Sequence, residues 1–261
     1  MSEAPVRGFG LIVIGDELLS GKRQDKHFPH LLGLLAARGL ELRWVRFISD
    51  DAPLITRTLE QTLAGDDVVF SCGGIGATPD DRTRQCAAEA LNRRLEPHPD
   101  GVAMLEARFG HPVEPPHRLN LVAFPEGAGL IPNPINQVPG FSVDDHHFMP
   151  GFPSMAWPMM AWVLDHHYAD WQNPDRLAEQ AIAVNGARES DVIPLLEQFE
   201  RDYPALRLSC LPTLRDEGFS LELGLRGAPG DVGPAMAVLQ AAVEGLGFGW
   251  REVVLDERHA D

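Results

Sequence analysis

The residues with the strongest chemical signal form a glycine cluster followed by a threonine and a carboxylate. Gly73, Gly74 and Gly76 come directly after an apolar run, and Thr78 and Asp81 follow closely. Glycine permits positive φ angles and lacks the side chain that would hold a phosphate away from the backbone. A helical pattern comes next, and the first turn of a helix has unpaired N–H groups that attract anions. The spacing therefore predicts a strand-to-helix turn that binds phosphate oxygens.

A tight turn without any ligand would use the same glycines, so the residues that follow them decide between the two interpretations. Pro79 favours the start of a helix, because its missing N–H would be unpaired there in any case. We expect Asp80 to cap that helix from its N-terminus. Asp81 is then the better candidate for a functional carboxylate. The combination favours a ligand site over a plain turn.

Further carboxylates follow the ends of two other predicted strands. Asp16 and Glu17 come after the apolar run 9–14, and Asp50 comes after the run 42–48. Ligands of parallel sheets bind beyond the carboxyl ends of the strands, so we expect these side chains to lie beside the glycine turn. The alternatives are that Asp50 caps the following helix and that Asp16 and Glu17 are solvated loop residues.

The order of the elements predicts the fold class. Three strands, at 9–14, 42–48 and 67–72, alternate with helical patterns, which is typical of a three-layer αβα fold with a mostly parallel sheet. The chain then becomes rich in proline and glycine, and the loop around Asn133 is expected to lie on the ligand side. We assign residues 1–172 to this α/β domain.

A second pattern begins after a linker that contains Asn173 and Pro174. A strand, a helix, two strands and a further helix follow, which predicts a smaller α+β domain at residues 176–261. The sequence thus predicts two domains, and the chemistry-bearing motifs all fall in the first.

Charge and composition limit the classes of partner. The 261 residues include 38 acidic and 22 basic side chains, which gives a net charge of −16 at pH 7. Nucleic acids and anionic membranes are bound by clustered Lys and Arg, so we expect neither as a partner, although one small phosphorylated ligand remains compatible. No apolar run approaches the roughly 20 residues of a membrane helix, and no signal-peptide pattern is seen. With three cysteines and no C-x-x-C spacing, we expect a cytoplasmic protein.

Several motifs in order resemble the molybdopterin-binding (MoCF) domain. That domain is shared by molybdenum cofactor biosynthesis proteins and the competence/damage-inducible protein A (CinA) family, and the long Thr-Pro-Asp-Asp-x-Thr version looks more like CinA. The segment after Asp175 is similar to the KH-type module that follows this domain in CinA proteins. The motifs are Gly15-Asp16-Glu17-Leu18-Leu19-x-Gly21, Gly73-Gly74-x-Gly76-x-Thr78-Pro79-Asp80-Asp81-x-Thr83, Asn133-Pro134…Pro139-Gly140-Phe141 and Pro150-Gly151-x-Pro153-Ser154.

The resemblance implies a phosphorylated pterin (molybdopterin) or a nucleotide as the ligand, and a dimer or trimer as the assembly. It also implies an alternative function, the metal-dependent hydrolysis of a nucleotide pyrophosphate such as ADP-ribose. In that case Asp50 and Asp81 would be catalytic, and Asp81 would hold Mg²⁺ or another divalent ion. The residues expected to bind ligand or phosphate are Asp16, Glu17, Gly73, Gly74, Gly76, Thr78 and Asn133.

Three positions on the ligand side depart from the family pattern. Asn136 and Gln137 stand where CinA proteins commonly have Gly and Thr, and Met155 stands where a Glu is expected. The larger side chains would occlude a phosphate, and the loss of Glu would remove a metal or base contact. A scaffold that has lost its ligand and its catalysis is therefore the third hypothesis.

Overall fold

The structure is a computed structural model, and it describes residues 7–113, 116–215 and 218–254. The chain divides into two compact units, of which the first ends at Gln172 and the second begins at Asn173. Among the helices in these described ranges, none is both long enough and apolar enough to cross a membrane.

The larger unit is built on a six-stranded sheet in the order β2-β1-β3-β8-β7-β6. Strands β2, β1, β3 and β8 run parallel, and β7 and β6 pair antiparallel. The predicted α/β class with a mostly parallel sheet is confirmed. The strands are β1 (Phe9–Ile14), β2 (Leu42–Ile48), β3 (Val68–Cys72), β4 (Leu95–Pro97), β5 (Ala123–Pro125), β6 (Gly129–Ile131), β7 (Gly140–Val143) and β8 (His146–Met149), with β4 and β5 forming a separate ribbon.

Helices cover both faces of this sheet, because successive residues of its central strands point to opposite sides. Leu11 belongs to the core on one face with Leu31 and Met159, whereas Ile12 belongs to the other with Ile55. This explains why β1 is a continuous apolar run. The helices are α1 (Asp16–Leu19), α2 (His27–Ala36), α3 (Ala52–Leu63), α4 (Thr83–Ala90), α5 (Pro99–Phe109) and α6 (Pro153–His167).

The parallel strands end at the same level. Ile14 is paired with Ile48, and the next N–H, that of Gly15, donates to the Ile48 carbonyl at 3.1 Å. On the other side the Gly73 N–H donates to the Met149 carbonyl at 3.0 Å. The residues that follow β1, β2, β3 and β8 therefore meet at one edge of the sheet.

Helix α4 begins at Thr83, four residues later than Pro79 predicted, and the assignment of Asp80 as its cap is wrong. The residue before the helix is Arg82, which provides no side-chain cap. Residues Thr78 to Asp81 instead form a turn, in which the Asp81 N–H donates to the Thr78 carbonyl at 3.0 Å. Proline at the second position suits such a turn as well as it suits a helix start.

The smaller unit has an antiparallel four-stranded sheet in the order β10-β11-β9-β12. Ile182, Val184 and Leu223 pack with the two helices to form its own core. The predicted α+β class is confirmed, and the last short strand is an addition to the predicted pattern. The elements are β9 (Ala178–Asn185), α7 (Glu189–Asp202), β10 (Arg207–Arg215), β11 (Gly218–Gly227), α8 (Pro229–Gly245) and β12 (Trp250–Glu252).

Candidate functional site

The glycine turn lies between β3 and α4 and is fixed by the first residue of the helix. Gly73 and Gly74 have φ angles of 111° and 67°, which L side chains rarely adopt. A Cβ at Gly73 would collide with the backbone carbonyl of Ile14, and one at Gly74 with the Thr83 hydroxyl. That buried hydroxyl donates to the Gly73 carbonyl at 3.0 Å, and the Thr83 N–H donates to the Gly74 carbonyl at 3.0 Å. Both glycines are therefore required by the turn itself.

The Asp81 carboxylate is folded back onto this turn. The Thr78 N–H donates to Asp81 Oδ2 at 3.1 Å, and the Thr78 hydroxyl donates to the same oxygen. A Cβ at Gly76 would collide with that carboxylate, so the missing side chain makes room for it. The Asp81 carboxylate thus accepts both hydrogen bonds that Thr78 can donate. A phosphate that bound to the same two donors would have to displace the Asp81 carboxylate.

Asp16 and Asp50 lie together at the carboxyl ends of β1 and β2. The Asp16 N–H donates to Asp50 Oδ2 at 3.0 Å, and the Asp50 N–H donates to Asp16 Oδ1 at 3.4 Å. Burial and the neighbouring carboxylates of Asp16, Glu17 and Asp80 raise the pKa of Asp50, against the opposing effect of its hydrogen bond. The adjacent Asp51 accepts from the Leu54 N–H at 2.9 Å and caps α3.

Two cavities open at this edge of the sheet, and both reach Gly151. The smaller, of about 240 Å³, is bordered by the glycine turn and the loop after β6. The larger, of about 410 Å³, is bordered by the segments that follow β1 and precede α2. A pocket for a small organic ligand has about 300–1,000 Å³. The residues that line the smaller cavity include Gly74, Gly76, Asp81, Asn136 and Met155, and those that line the larger cavity include Val13, Glu17, Leu18, His27 and Pro153.

Two of the three positions that depart from the family pattern, Asn136 and Met155, line the smaller cavity. The Asn136 amide donates to Met155 Sδ at 3.1 Å, so the two replaced residues contact each other at the smaller cavity. Gln137 has a positive φ of 59° in the same loop. Asn133 is buried, and its Oδ1 accepts from the Ile135 N–H at 3.1 Å. In the described part of the chain, Asn133 borders neither cavity, and its contacts are with its own loop.

His27, which the sequence did not single out, lines the larger cavity and is buried. Its Nε2 lies 3.1 Å from the Gly151 carbonyl oxygen, and its Nδ1 is buried without a partner. Burial lowers the pKa of His27, so the ring is neutral at pH 7. Since Nε2 must carry the proton to donate to a carbonyl, Nδ1 is an unpaired acceptor. The preceding Asp25 accepts the N–H groups of His27 and Phe28 and caps α2.

Arg84, the second residue of α4, is also buried and was not recognised from the sequence. Its side chain is directed at the glycine turn, where Nη2 donates to the Gly76 carbonyl. Nε and Nη1 are buried without a partner. Burial lowers the pKa of the Arg84 guanidinium to about 10, against the opposing effect of Asp81, and the group is charged at pH 7. A signal was present: Arg84 lies three residues before Ala87, on the apolar face of the helical pattern.

The carboxylates at this edge do not form a preformed metal site. Within the described ranges, no three His, Cys, Asp or Glu side chains are grouped so that they could hold a metal ion. The Asp81 carboxylate accepts from the Thr78 N–H within the turn, and the Asp50 carboxylate accepts from the Asp16 N–H.

Together these features define a class of protein: an α/β domain with a glycine turn, carboxylates and ligand-sized cavities at the carboxyl edge of its sheet. The sequence profile described as "Probable molybdopterin binding domain" matches residues 10–168. The chain therefore belongs to the molybdopterin-binding domain family, as its motifs predicted.

Individual relatives agree with this assignment. A protein of Pyrobaculum arsenaticum is 26% identical over 215 residues, which is 79% of this chain and 81% of that protein. A CinA-like protein of Anaeromyxobacter sp. (strain K) is 34% identical over 164 residues, but this match covers 60% of this chain and 40% of that protein. The crystal structure of the protein CinA, of unknown function, from Thermoplasma acidophilum superposes with a TM-score of 0.55 at 26% identity, over 63% of this chain and 97% of that one. The resemblance to CinA is thereby confirmed.

Proposed function

We propose that the larger unit binds a small phosphorylated pterin or nucleotide, with a phosphate group at the glycine turn. The observation that supports this most directly is the cavity of about 240 Å³ bordered by the bare backbone of Gly74 and Gly76. Glycine backbone beside the first turn of a helix is a recurring phosphate site. Membership of the molybdopterin-binding domain family supports a pterin-related ligand.

The rest of the ligand would occupy the larger cavity, which also borders Gly151. Val13, Leu18 and Pro153 supply apolar wall for a flat heterocycle. The Glu17 carboxylate, which lines this cavity, would accept a hydrogen bond from a ring N–H or an amino group. Pterins and purines both carry such donors, so this part of the site suits either class.

Calorimetric titration of the purified protein tests the proposal. The ligands are AMP, ADP-ribose and a phosphorylated pterin, each compared with its unphosphorylated counterpart. We expect the phosphorylated members to bind at least about tenfold more tightly. Gly76→Ala should weaken them, because its Cβ forces the Asp81 carboxylate towards the cavity. Gly129→Ala is the matched control, since a Cβ there meets nothing within 4 Å. Equal binding of phosphorylated and unphosphorylated ligands would contradict the proposal.

A second candidate function is hydrolysis of a nucleotide pyrophosphate such as ADP-ribose, with Asp50 and Asp81 in catalytic roles. It is favoured by the raised pKa of Asp50 beside other carboxylates, since perturbed carboxyl groups cluster at catalytic sites. The same protein is incubated with ADP-ribose and Mg²⁺, Mn²⁺ or Co²⁺, and release of AMP is measured. Turnover that Asp81→Ala abolishes would establish the hydrolase. Binding without turnover would leave the binding function alone, and the absence of both would favour a scaffold.

We also propose a homodimer or homotrimer, as the family resemblance implies. Phe28 and Leu32 lie one turn apart on α2, and each is 38% exposed, which is consistent with a covered surface. Sedimentation should give two or three times the 28.7 kDa of one chain. A mass of one chain at micromolar concentration would refute this assembly.

A further inference from the structure

Arg84 combines three properties that seldom occur in one side chain. It is charged, it is only 2% exposed, and two of its guanidinium nitrogens have no partner. It also stands in the first turn of α4, where the helix dipole is positive and a cation is disfavoured. A buried charge is retained in proteins when another charge or several hydrogen bonds compensate it. The hydrogen bond to the Gly76 carbonyl is one of the few contacts that do so here.

The protein's own anion nearest to this cation is committed elsewhere. Asp81 attracts Arg84 electrostatically, but its Oδ2 accepts from both donors of Thr78. Among the described residues no carboxylate forms an ion pair with Arg84, so the positive field of Arg84 and of the α4 N-terminus is only partly neutralised at the turn. The carbonyl that Arg84 holds belongs to Gly76, which borders the smaller cavity. A negatively charged ligand group in that cavity would be attracted by the charge of Arg84 and by the N-terminus of α4.

We propose that Arg84 is a positioning residue for a phosphate or pyrophosphate group at the glycine turn: its buried charge, directed at the turn by the hydrogen bond to the Gly76 carbonyl, is compensated by the ligand. This inference rests on the proposed function and deepens it. Arg84 acts through its charge. The ligand class that it selects is an anion with phosphoryl oxygens, and an uncharged nucleoside or pterin would gain nothing from it.

A purely structural role of Arg84 predicts a different change in the stability of the free protein. If Arg84 only supported the turn, its removal would destabilise the free protein, because the Gly76 carbonyl would lose its donor. If the charge is held for a ligand, replacement by an apolar side chain of similar length relieves an uncompensated buried charge. The free protein would then be as stable as before or more stable, while its affinity for phosphate would fall. Stability and binding therefore move in opposite directions only under the proposal.

The test compares four proteins: the wild type, Arg84→Met, Arg84→Lys and Arg82→Met. Arg82 is the matched control, since it is two residues away, carries the same charge and is exposed. Thermal unfolding of each free protein is recorded, and calorimetry measures the dissociation constants of inorganic pyrophosphate, AMP and adenosine. We expect Arg84→Met to unfold at the wild-type temperature or above it and to bind pyrophosphate and AMP about 10- to 100-fold more weakly. Arg84→Lys should keep most of the affinity, and adenosine binding should not change.

The outcomes separate this inference from the proposed function. Wild-type affinity for pyrophosphate and AMP in Arg84→Met would overturn the inference and leave the proposed function standing. An Arg84→Met protein that is markedly less stable or does not fold would also overturn it, as would equal loss in Arg84→Lys. A wild-type protein that binds none of the phosphorylated probes, in this titration or the previous one, would overturn the proposed function and the inference with it.

Discussion

The two units of this protein differ in whether their buried polar side-chain atoms have hydrogen-bond partners. Among the described residues of the larger unit, six have a buried side-chain N or O without a partner: His27, Ser71, Arg84, Asn133, His146 and Trp157. In the described residues of the smaller unit, no buried side-chain N or O lacks a partner. Leaving such a group unpaired costs about 1–3 kcal/mol of stability. Of the six residues, His27 lines the larger cavity and Arg84 contacts the glycine turn, so two of them lie at the candidate site.

Replacing a glycine by alanine is expected to have opposite effects on stability in the two units. The loss of stability at Gly73 is the largest effect that we predict. Gly73→Ala places a Cβ against the Ile14 carbonyl at a φ of 111°, and we expect a loss of about 3 kcal/mol in the free energy of unfolding. In the smaller unit, Gly245→Ala adds a Cβ to the last turn of α8 that meets nothing within 4 Å. It should stabilise the protein by about 0.5–1 kcal/mol. Denaturant titration measures both, and equal effects of the two changes would remove the contrast.

The hydroxyl that fixes the turn is the next test. Thr83→Val removes the buried donor to the Gly73 carbonyl and should cost about 2 kcal/mol. Its matched control is Thr213→Val, at an exposed position of β10, which should stay within about 0.5 kcal/mol of the wild type. Denaturant titration is again the measurement. A loss at Thr83 no greater than at Thr213 would show that the turn does not depend on this bond.

Asp50 and Asp51 are adjacent, but Asp51 caps α3 whereas Asp50 belongs to the candidate site. Asp51→Ala removes the cap of α3 and should cost about 1 kcal/mol, while the affinity for phosphorylated ligands stays unchanged. Thermal unfolding and calorimetry are run on the same samples. If Asp51→Ala also loses ligand affinity, Asp51 is part of the ligand site.

Asp50 should give the smallest effect, with a definite sign. Its raised pKa means that the folded protein holds this proton more tightly than the unfolded chain does. Stability from this group is therefore present below the ordinary carboxyl pKa and is lost as the pH rises through the raised pKa. Asp50→Asn, which can still accept from the Asp16 N–H, should stabilise the protein at pH 7 by a few tenths of a kcal/mol, about the size of a surface charge effect.

The control for Asp50→Asn is the same pair of proteins at low pH. Below about pH 3 Asp50 is protonated in both the folded and unfolded states, so the gain should vanish there. A gain that persists at low pH, or a loss at neutral pH, would contradict the conclusion that burial and the neighbouring carboxylates disfavour the charged form of Asp50.

Much of the sheet could be predicted from the sequence, because its strands carry a strong signal. β1 and β2 have the predicted limits, and β3 begins one residue later than predicted. β1 and β3 are almost entirely apolar, and all three strands are followed by glycine or polar residues that mark their ends. The residues that meet at the candidate site could be predicted from these strand ends, because parallel strands that end at the same level bring the residues that follow them close together.

The details of the site could not be predicted in the same way. Pro79 is compatible with both a helix start and a tight turn, and the hydrogen bond between Asp81 and Thr78 decided between them. Arginine is almost always exposed, so the position of Arg84 on the apolar face of the helical pattern was too weak a signal to predict its burial. Asn133 was chosen from a motif, whereas its contacts depend on how its loop folds. Long-range packing decides each of these cases.

A crystal structure of the protein with bound AMP would show directly where a phosphate group binds. We expect phosphate oxygens at about 2.7–3.2 Å from backbone N–H groups of the glycine turn. We also expect the Asp81 carboxylate to have rotated away from Thr78. A phosphate bound elsewhere, with Asp81 still hydrogen-bonded to Thr78, would contradict phosphate binding at the glycine turn.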